Sequence, residues 1–547
     1  MPGTVPTDVR VLALIASGLL VEAGWLALWP LSSTLSHSAL FTTAILTSHP
    51  LVRRPLDLML AVAGPVVPGL STTPLAAPLG SPDYAGPAFA LAGVMLWLAA
   101  AYALALVVLG RGLGGRRSAV WLVVAGAVVF QATLFWLPGL FSQDVFSYIA
   151  YGRLAAQYNL NPYIWPPSVL NDPAVGWVAD VWRTYASPYG PLWVDVQWLL
   201  ARLTGGLSIG DQALVYRLLG NLLLLANLGL VWRLLGRLTR LTRAQRTTAL
   251  AALAWNPLVL FEISGNAHND ALMVSFSFIG LLLFGRSSRG VLTGAAFTLG
   301  ALVKYLSGAG LIWVAVASAA RAATWARAGR RLFLIALVAC PITLALAAPW
   351  LELPDSLDPL LNETAGVGYV NSLPDRLILL LADHSAVPLD LARGVARMLV
   401  LGGFAVYVAW EVRQVWSRPR AARVARALAR SSLVYVLVVS TSMQPWYLCL
   451  PLAIALSLGV RHGLARVALG YGMLALPALY VSYYLRDLTP GWIFLAYGCV
   501  PLIALLPGLT ARARTGPHIP ATEAIGHHEQ RPGRHRVARA VMEEAGR

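Results

Sequence analysis

The chain reads as all-α, a polytopic transmembrane helical bundle of about 14 helices, and three observations carry that reading. Of its 547 residues 58% are hydrophobic and only 12% charged, whereas a soluble domain carries about a quarter charged residues. Its mean hydropathy is +0.66. The apolar residues arrive in long runs, such as Val11–Leu31, Pro87–Gly110, Ser118–Leu137, Leu332–Trp350 and Trp492–Leu509, each near the roughly 20 residues a helix needs to cross a bilayer. Only helices and closed barrels satisfy their backbone in lipid. Barrel strands would alternate in short units, and these runs do not.

Taken in order, Val11–Leu31 lacks a strongly basic stretch before it, and Leu28-Trp29-Pro30-Leu31 is a poor small-residue cleavage site, so it reads as a retained first helix rather than a signal peptide. Ala39–Ala77 is apolar but broken by prolines and by Arg53 and Arg54, which suits a hairpin or a re-entrant piece. After it, arginine punctuates the runs: Arg111, Arg116 and Arg117; Arg233 to Arg246; Arg286 and Arg289; Arg327, Arg330 and Arg331; Arg413 to Arg430; Arg461 and Arg466. These mark cytoplasmic loops by the positive-inside bias. The net charge of +17 therefore orients the chain in a cell (plasma) membrane, with both termini cytoplasmic, and does not point to nucleic acid. Two long loops then fall outside, Pro138–Asp211 and Leu351 to about residue 392. Short outer turns lie at Glu262–Asp270, Lys304, Thr441–Tyr447 and Tyr484–Pro490. Residues 1–509 form one transmembrane domain, and 510–547, polar and aperiodic, a disordered cytoplasmic tail.

Cys340, Cys449 and Cys499 lie far apart, in or beside apolar segments, and read as small core residues rather than a disulfide framework or metal cluster. No GxxxxGK[ST], HExxH or CxxC occurs, and the one GxGxxG match, Gly110–Gly115, ends a helix-length apolar run instead of following a strand, so nucleotide, dinucleotide and zinc chemistry lack their usual signatures. No cofactor and no metal are expected.

Polar side chains gather in the outer segments. The first loop opens with Phe141-Ser-Gln-Asp144-Val-Phe-Ser-Tyr148-Ile-Ala-Tyr151-Gly-Arg153, continues through Asn161-Pro-Tyr163 and closes on Ser187-Pro-Tyr189-Gly-Pro-Leu-Trp193. Helical spacing puts Asp144, Tyr148 and Tyr151 on one face. A carboxylate at the membrane surface is partly desolvated, which raises its pKa and suits it to act as a base; an N-cap for the following helix is the plainer role. Gly265-Asn-Ala-His268-Asn269-Asp270 lies between the runs Ala249–Glu262 and Ala271–Phe284, which at about 21 Å each fall short of a bilayer's ~30 Å. Polar groups at that depth are usually functional, although a capping turn uses the same residues.

Lys304 is the only lysine among 41 basic residues. A compact ammonium at an outer turn suits a phosphate, and a snorkelling helix end would also hold it. Gln444 and Trp446, in Thr441-Ser-Met-Gln-Pro-Trp-Tyr447, offer an amide beside stacking aromatics, as sugar sites do and as membrane interfaces also do. Arg376 and Arg486 are further outer cations, and Glu22 lies within the first helix with no assigned role.

The first-loop motifs together with Gly-Asn-Ala-His-Asn-Asp-Ala-Leu-Met resemble those of polyprenol-phosphomannose-dependent α-mannosyltransferases of actinobacterial envelopes, which are GT-C membrane glycosyltransferases. The resemblance runs from the first helix to about Leu509. It implies a GT-C-like bundle with its active site in extracytoplasmic loops, and inverting transfer of mannose, or another hexose, from a polyprenyl-phosphate sugar to a glycan or glycolipid acceptor. It also implies Asp144 as base, at the place matching the family aspartate. Tyr148, Tyr151, Arg153, Asn161, Tyr163, Tyr189, His268, Asn269, Asp270, Lys304, Gln444 and Trp446 would then contact substrate, Lys304 at the phosphate. The rival classes are a secondary transporter or flippase of lipid-linked sugars, which should show related halves and mid-bilayer charges, and an envelope scaffold in which Asp144 is dispensable.

Overall fold

A computed structural model describes residues 7–36, 50–67, 69–77, 79–111, 113–284, 290–357, 388–440 and 443–485, with 374, 378 and 382 singly. The run Trp492–Leu509, the tail, Arg376, Arg486, Thr441, Ser442 and Cys499 lie outside the described residues. Within them the chain is helical throughout, without strands. Sixteen α-helices have eight residues or more. Eight are long and apolar enough to cross a membrane, and four shorter apolar ones join them: Asp270–Leu283, Gly290–Val303, Tyr305–Ala320 and Pro445–Leu456.

Burial separates the spans into a shell and a centre. Only 6% of the apolar window in Trp325–Trp350 is buried, against 100% in Arg243–Gly265. The shell helices present Phe333, Leu337, Leu344, Met398 and Val406 outward. Apolar surface on that scale is untenable in water and ordinary in lipid. This is a membrane protein.

The central helix is built by local chemistry. Thr242 and Gln245 form a capping box at its start, so the helix begins at Arg243, before the apolar residues do. It breaks at Trp255-Asn256-Pro257, because proline removes a donor and clashes with the preceding turn. Asn256 restarts it by accepting the Val259 amide at 3.2 Å. The last six residues, Leu260–Gly265, wind as π-helix, a rare form that concentrates at functional sites. The expected short helix is therefore longer than apolarity alone indicated: Arg243–Gly265 counts as a span of 23 residues. Its successor Asp270–Leu283, at 14 residues, is as short as expected.

Thr7–Leu35 packs along Ala85–Gly110 and Arg117–Phe135, and the central helix contacts those last two and Ile209–Leu238. Of the region 39–77, the described residues include the helix Pro50–Ala63, which packs against Thr7–Leu35. The first long loop is itself helical. Asp144–Gln157 and Pro191–Thr204 pack together, and Gly152 allows their approach, since a Cβ there would lie 2.4 Å from the Gln197 carbonyl oxygen.

Candidate active site

Asp144 is the first residue of its helix, but the N-cap is Gln143 and no side-chain capping bond forms. The carboxylate instead faces the second constellation, with Oδ2 3.6 Å from His268 Nδ1. On the other side of the ring, His268 Nε2 lies 3.3 Å from Glu262 Oε2. Trp446 stacks on the imidazole, with centroids 4.0 Å apart and planes 19° from parallel. Glu262 is held in turn by the Asn266 amide at 3.1 Å and the Tyr480 hydroxyl at 3.2 Å. Lys304, extended between Gly290–Val303 and Tyr305–Ser307, places Nζ 2.8 Å from Asp270 Oδ2 and 5.2 Å from the Tyr447 ring centroid. It points into the protein, not out along the helix end.

Three carboxylates, one imidazole and one ammonium thus converge. Glu262, His268 and Asp270 have fully buried side chains, while Asp144 is 17% exposed and Lys304 20%. A carboxylate and an ammonium are the two ionisable groups of the set that solvent can reach. Burial raises the Asp144 carboxyl to about 6; the Lys304 charge pulls the other way and Asp270 adds to the rise. Burial, and then Lys304, push His268 well below its usual range, so its imidazole is neutral at pH 7. Asn269 sits at the N-cap of Asp270–Leu283 without a side-chain capping bond. Its side-chain nitrogen and oxygen are buried with no hydrogen-bond partner among the described residues. Among those residues no three His, Cys, Asp or Glu side chains converge as a metal site.

The aromatics of the first loop form the wall beside Asp144. Tyr148, one turn along, is buried with its ring edge-on to Tyr189 and Trp193. Tyr151 donates to the Tyr185 carbonyl at 2.8 Å, and Tyr163 to the Tyr189 carbonyl at 2.6 Å. The Gly190 amide donates to the Val303 carbonyl. A Cβ on Gly190 would lie 2.2 Å from the Leu302 carbonyl oxygen, so glycine lets the loop lie against the chain just before Lys304.

Two of the expected contact residues are engaged elsewhere. Arg153 pairs with Asp172, Nη2 to Oδ2 at 2.7 Å, and Asn161 donates to the Trp350 carbonyl and to Glu352 at 2.8 and 3.0 Å. Both hold loop to loop. Gln444 lies directly before the turn Pro445–Leu448 that carries Trp446.

Arg217 was not anticipated. Fully buried, it donates to the carbonyls of Phe135, Leu137, Gly139 and Gly265 at 3.1, 2.7, 2.8 and 2.8 Å. It thereby joins the segment leading to Asp144 to the turn that carries His268. The signal was present: an arginine inside the apolar run Ile209–Leu238 is a functional candidate by default. Tyr480 had no such signal.

Residues 58–321, from within Pro50–Ala63 to beyond Lys304, match a family described as alpha-(1→6)-mannopyranosyltransferase, N-terminal domain. Over 415 residues the chain is 27% identical to alpha-(1→6)-mannopyranosyltransferase A of Mycobacterium tuberculosis, covering 70% of this chain and 74% of that protein. A probable alpha-(1→6)-mannopyranosyltransferase of Mycolicibacterium smegmatis is 31% identical over 34% of this chain and 32% of its own length. Alpha-(1→6)-mannopyranosyltransferase B of Corynebacterium glutamicum is 29% identical over 28% and 25%.

Proposed function

We propose that this chain, a glycosyltransferase related to the actinobacterial α-mannosyltransferases, moves mannose from a polyprenyl-phosphate donor onto a hydroxyl of an extracytoplasmic glycan or glycolipid. The names of its relatives support an α-(1→6) linkage. One observation carries the reading: the carboxylate and the ammonium that solvent reaches, Asp144 and Lys304, lie near enough to feel each other's charge and that of Asp270, beside an imidazole stacked on tryptophan.

Asp144, ionised above about pH 6, takes the proton of the acceptor hydroxyl as its oxygen attacks the anomeric carbon. The bond from that carbon to the phosphate oxygen breaks, and polyprenyl phosphate leaves with the bonding electrons. Attack opposite the leaving group inverts the centre, so an α product calls for a β-linked donor. Lys304, oriented by Asp270, stabilises the charge developing on the phosphate. His268 meets the base from behind, and Trp446 and Tyr447 offer ring faces to the sugar. The arginine-poor ends of the spans bear this group, which supports an outer location.

The test is transfer itself. Membranes containing the protein, given radiolabelled polyprenyl-phosphate mannose, should label an extractable glycolipid, and a nucleotide sugar alone should not. Label that appears only with the nucleotide sugar, in membranes unable to make the lipid donor, would overturn the donor assignment.

A further inference from the structure

The arginine-bearing ends of three helices enclose a cavity of about 310 Å³. It lies where Ala85–Gly110 stops, Arg243–Ala254 starts and the chain turns into Gly463–Tyr484. Leu106, Leu241, Leu458 and Val460 make most of its wall apolar, Arg461 and His462 are its basic residues, and no Asp or Glu lines it. Gly459, with φ +96°, shapes the turn. His462 Nδ1 accepts the Leu464 amide, which fixes the ring as a helix cap. Burial, with the nearby charges of Arg426, Arg430 and Arg466 acting in the same direction, pushes it down to about 4. The buried Nε atoms of Arg426 and Arg466 have no hydrogen-bond partner among the described residues.

We propose that this cavity binds an anionic glycerophospholipid, with part of an acyl chain among Leu106, Leu241 and Leu458 and the phosphate at Arg461. A free anion would find the charge but leave the apolar wall empty. A zwitterionic lipid would fill the wall but bring its own cation to a basic rim. Basic pockets between spans at the cytoplasmic surface recognise anionic headgroups in this way, and here the arginine pattern assigns that side. The site is separate from the group around Asp144 and does not rest on the transferase reading.

The experiment is native mass spectrometry of the full chain in neutral detergent, titrated with phosphatidylglycerol, with phosphatidylcholine of the same chains and with inorganic phosphate as competitor. A saturable phosphatidylglycerol adduct is expected, resistant to millimolar phosphate and stronger than the phosphatidylcholine adduct. Arg461→Ala, at an exposed position, should weaken it about fivefold, from ~1 kcal/mol per basic residue near an anionic surface. Val107→Trp, entering the cavity from a side chain 45% exposed, should remove the adduct while the protein keeps its elution volume. Equal binding of phosphatidylcholine, displacement by phosphate, or adducts unchanged in both variants would each overturn the proposal.

Discussion

In the proposed reaction Asp144 must be ionised to accept a proton, yet it lies among other carboxylates and is only 17% exposed. Its position at about 6 reconciles the two, because it is mostly ionised at neutral pH and still basic enough to be useful. The donor-side rate, kcat/KM, should therefore climb as pH rises through about 6 and level off above it, and fall as the carboxyl protonates below. Asp144→Asn keeps the size and removes the base; transfer should drop roughly 100- to 10,000-fold while the protein still accumulates in membranes. Full activity in that variant would remove Asp144 from the chemistry. At Lys304 the contrast is between two cations. Arginine is larger and planar, and Lys304→Arg should transfer poorly, with Lys304→Met slower by about 10- to 150-fold, the equivalent of a charge-assisted hydrogen bond worth ~1.5–3 kcal/mol. Parent rates in both variants, with matched amounts of folded protein, would exclude a phosphate role.

The elements that carry these residues are short and interrupted, and their placement depends on a few joints. Arg217 is the chief one, since its guanidinium reaches four carbonyls from two segments. Lysine offers three donors from one point, so Arg217→Lys should lose at least one of these bonds, about 1.5–3 kcal/mol. Thermal unfolding in detergent should register the loss, and transfer should fall because Asp144 and His268 sit on opposite sides of the joint. An unchanged melting temperature would count against the clamp. The aspartate, the histidine turn and the lone lysine were legible in the sequence as separate polar interruptions of apolar runs. That they meet was not legible, because their meeting depends on the π-turn Leu260–Gly265, the capping box at Thr242 and the Arg217 joint, none of which hydropathy records. Arg153 and Asn161 were legible as polar and aligned, but their partners Asp172 and Glu352 lie in loops whose contacts no spacing rule specifies.

For the whole molecule, the arginine pattern makes a claim about sides. With Cys340, Cys449 and Cys499 replaced, Asn171→Cys should react with an impermeant thiol reagent from outside, and Gly115→Cys only after permeabilisation. The reverse pattern would invert the molecule and move the candidate site to the cytoplasm. The number and order of apolar runs were readable because lipid imposes one rule on every span; which spans face lipid was not, since Leu389–Ser417 and Gly463–Tyr484 share a hydropathy of 1.5 yet are 11% and 61% buried. That difference bears on biogenesis. The centre, Arg243–Gly265, has the lowest hydropathy of the eight spans, 1.2 against 2.4 for Trp325–Trp350, and it also delivers Glu262 and the turn to His268. A translocon that partitions segments by their affinity for lipid retains this one least. Its main neighbours, Ala85–Gly110, Arg117–Phe135 and Ile209–Leu238, are made before it, so the segment that carries Glu262 enters a place already walled by earlier helices.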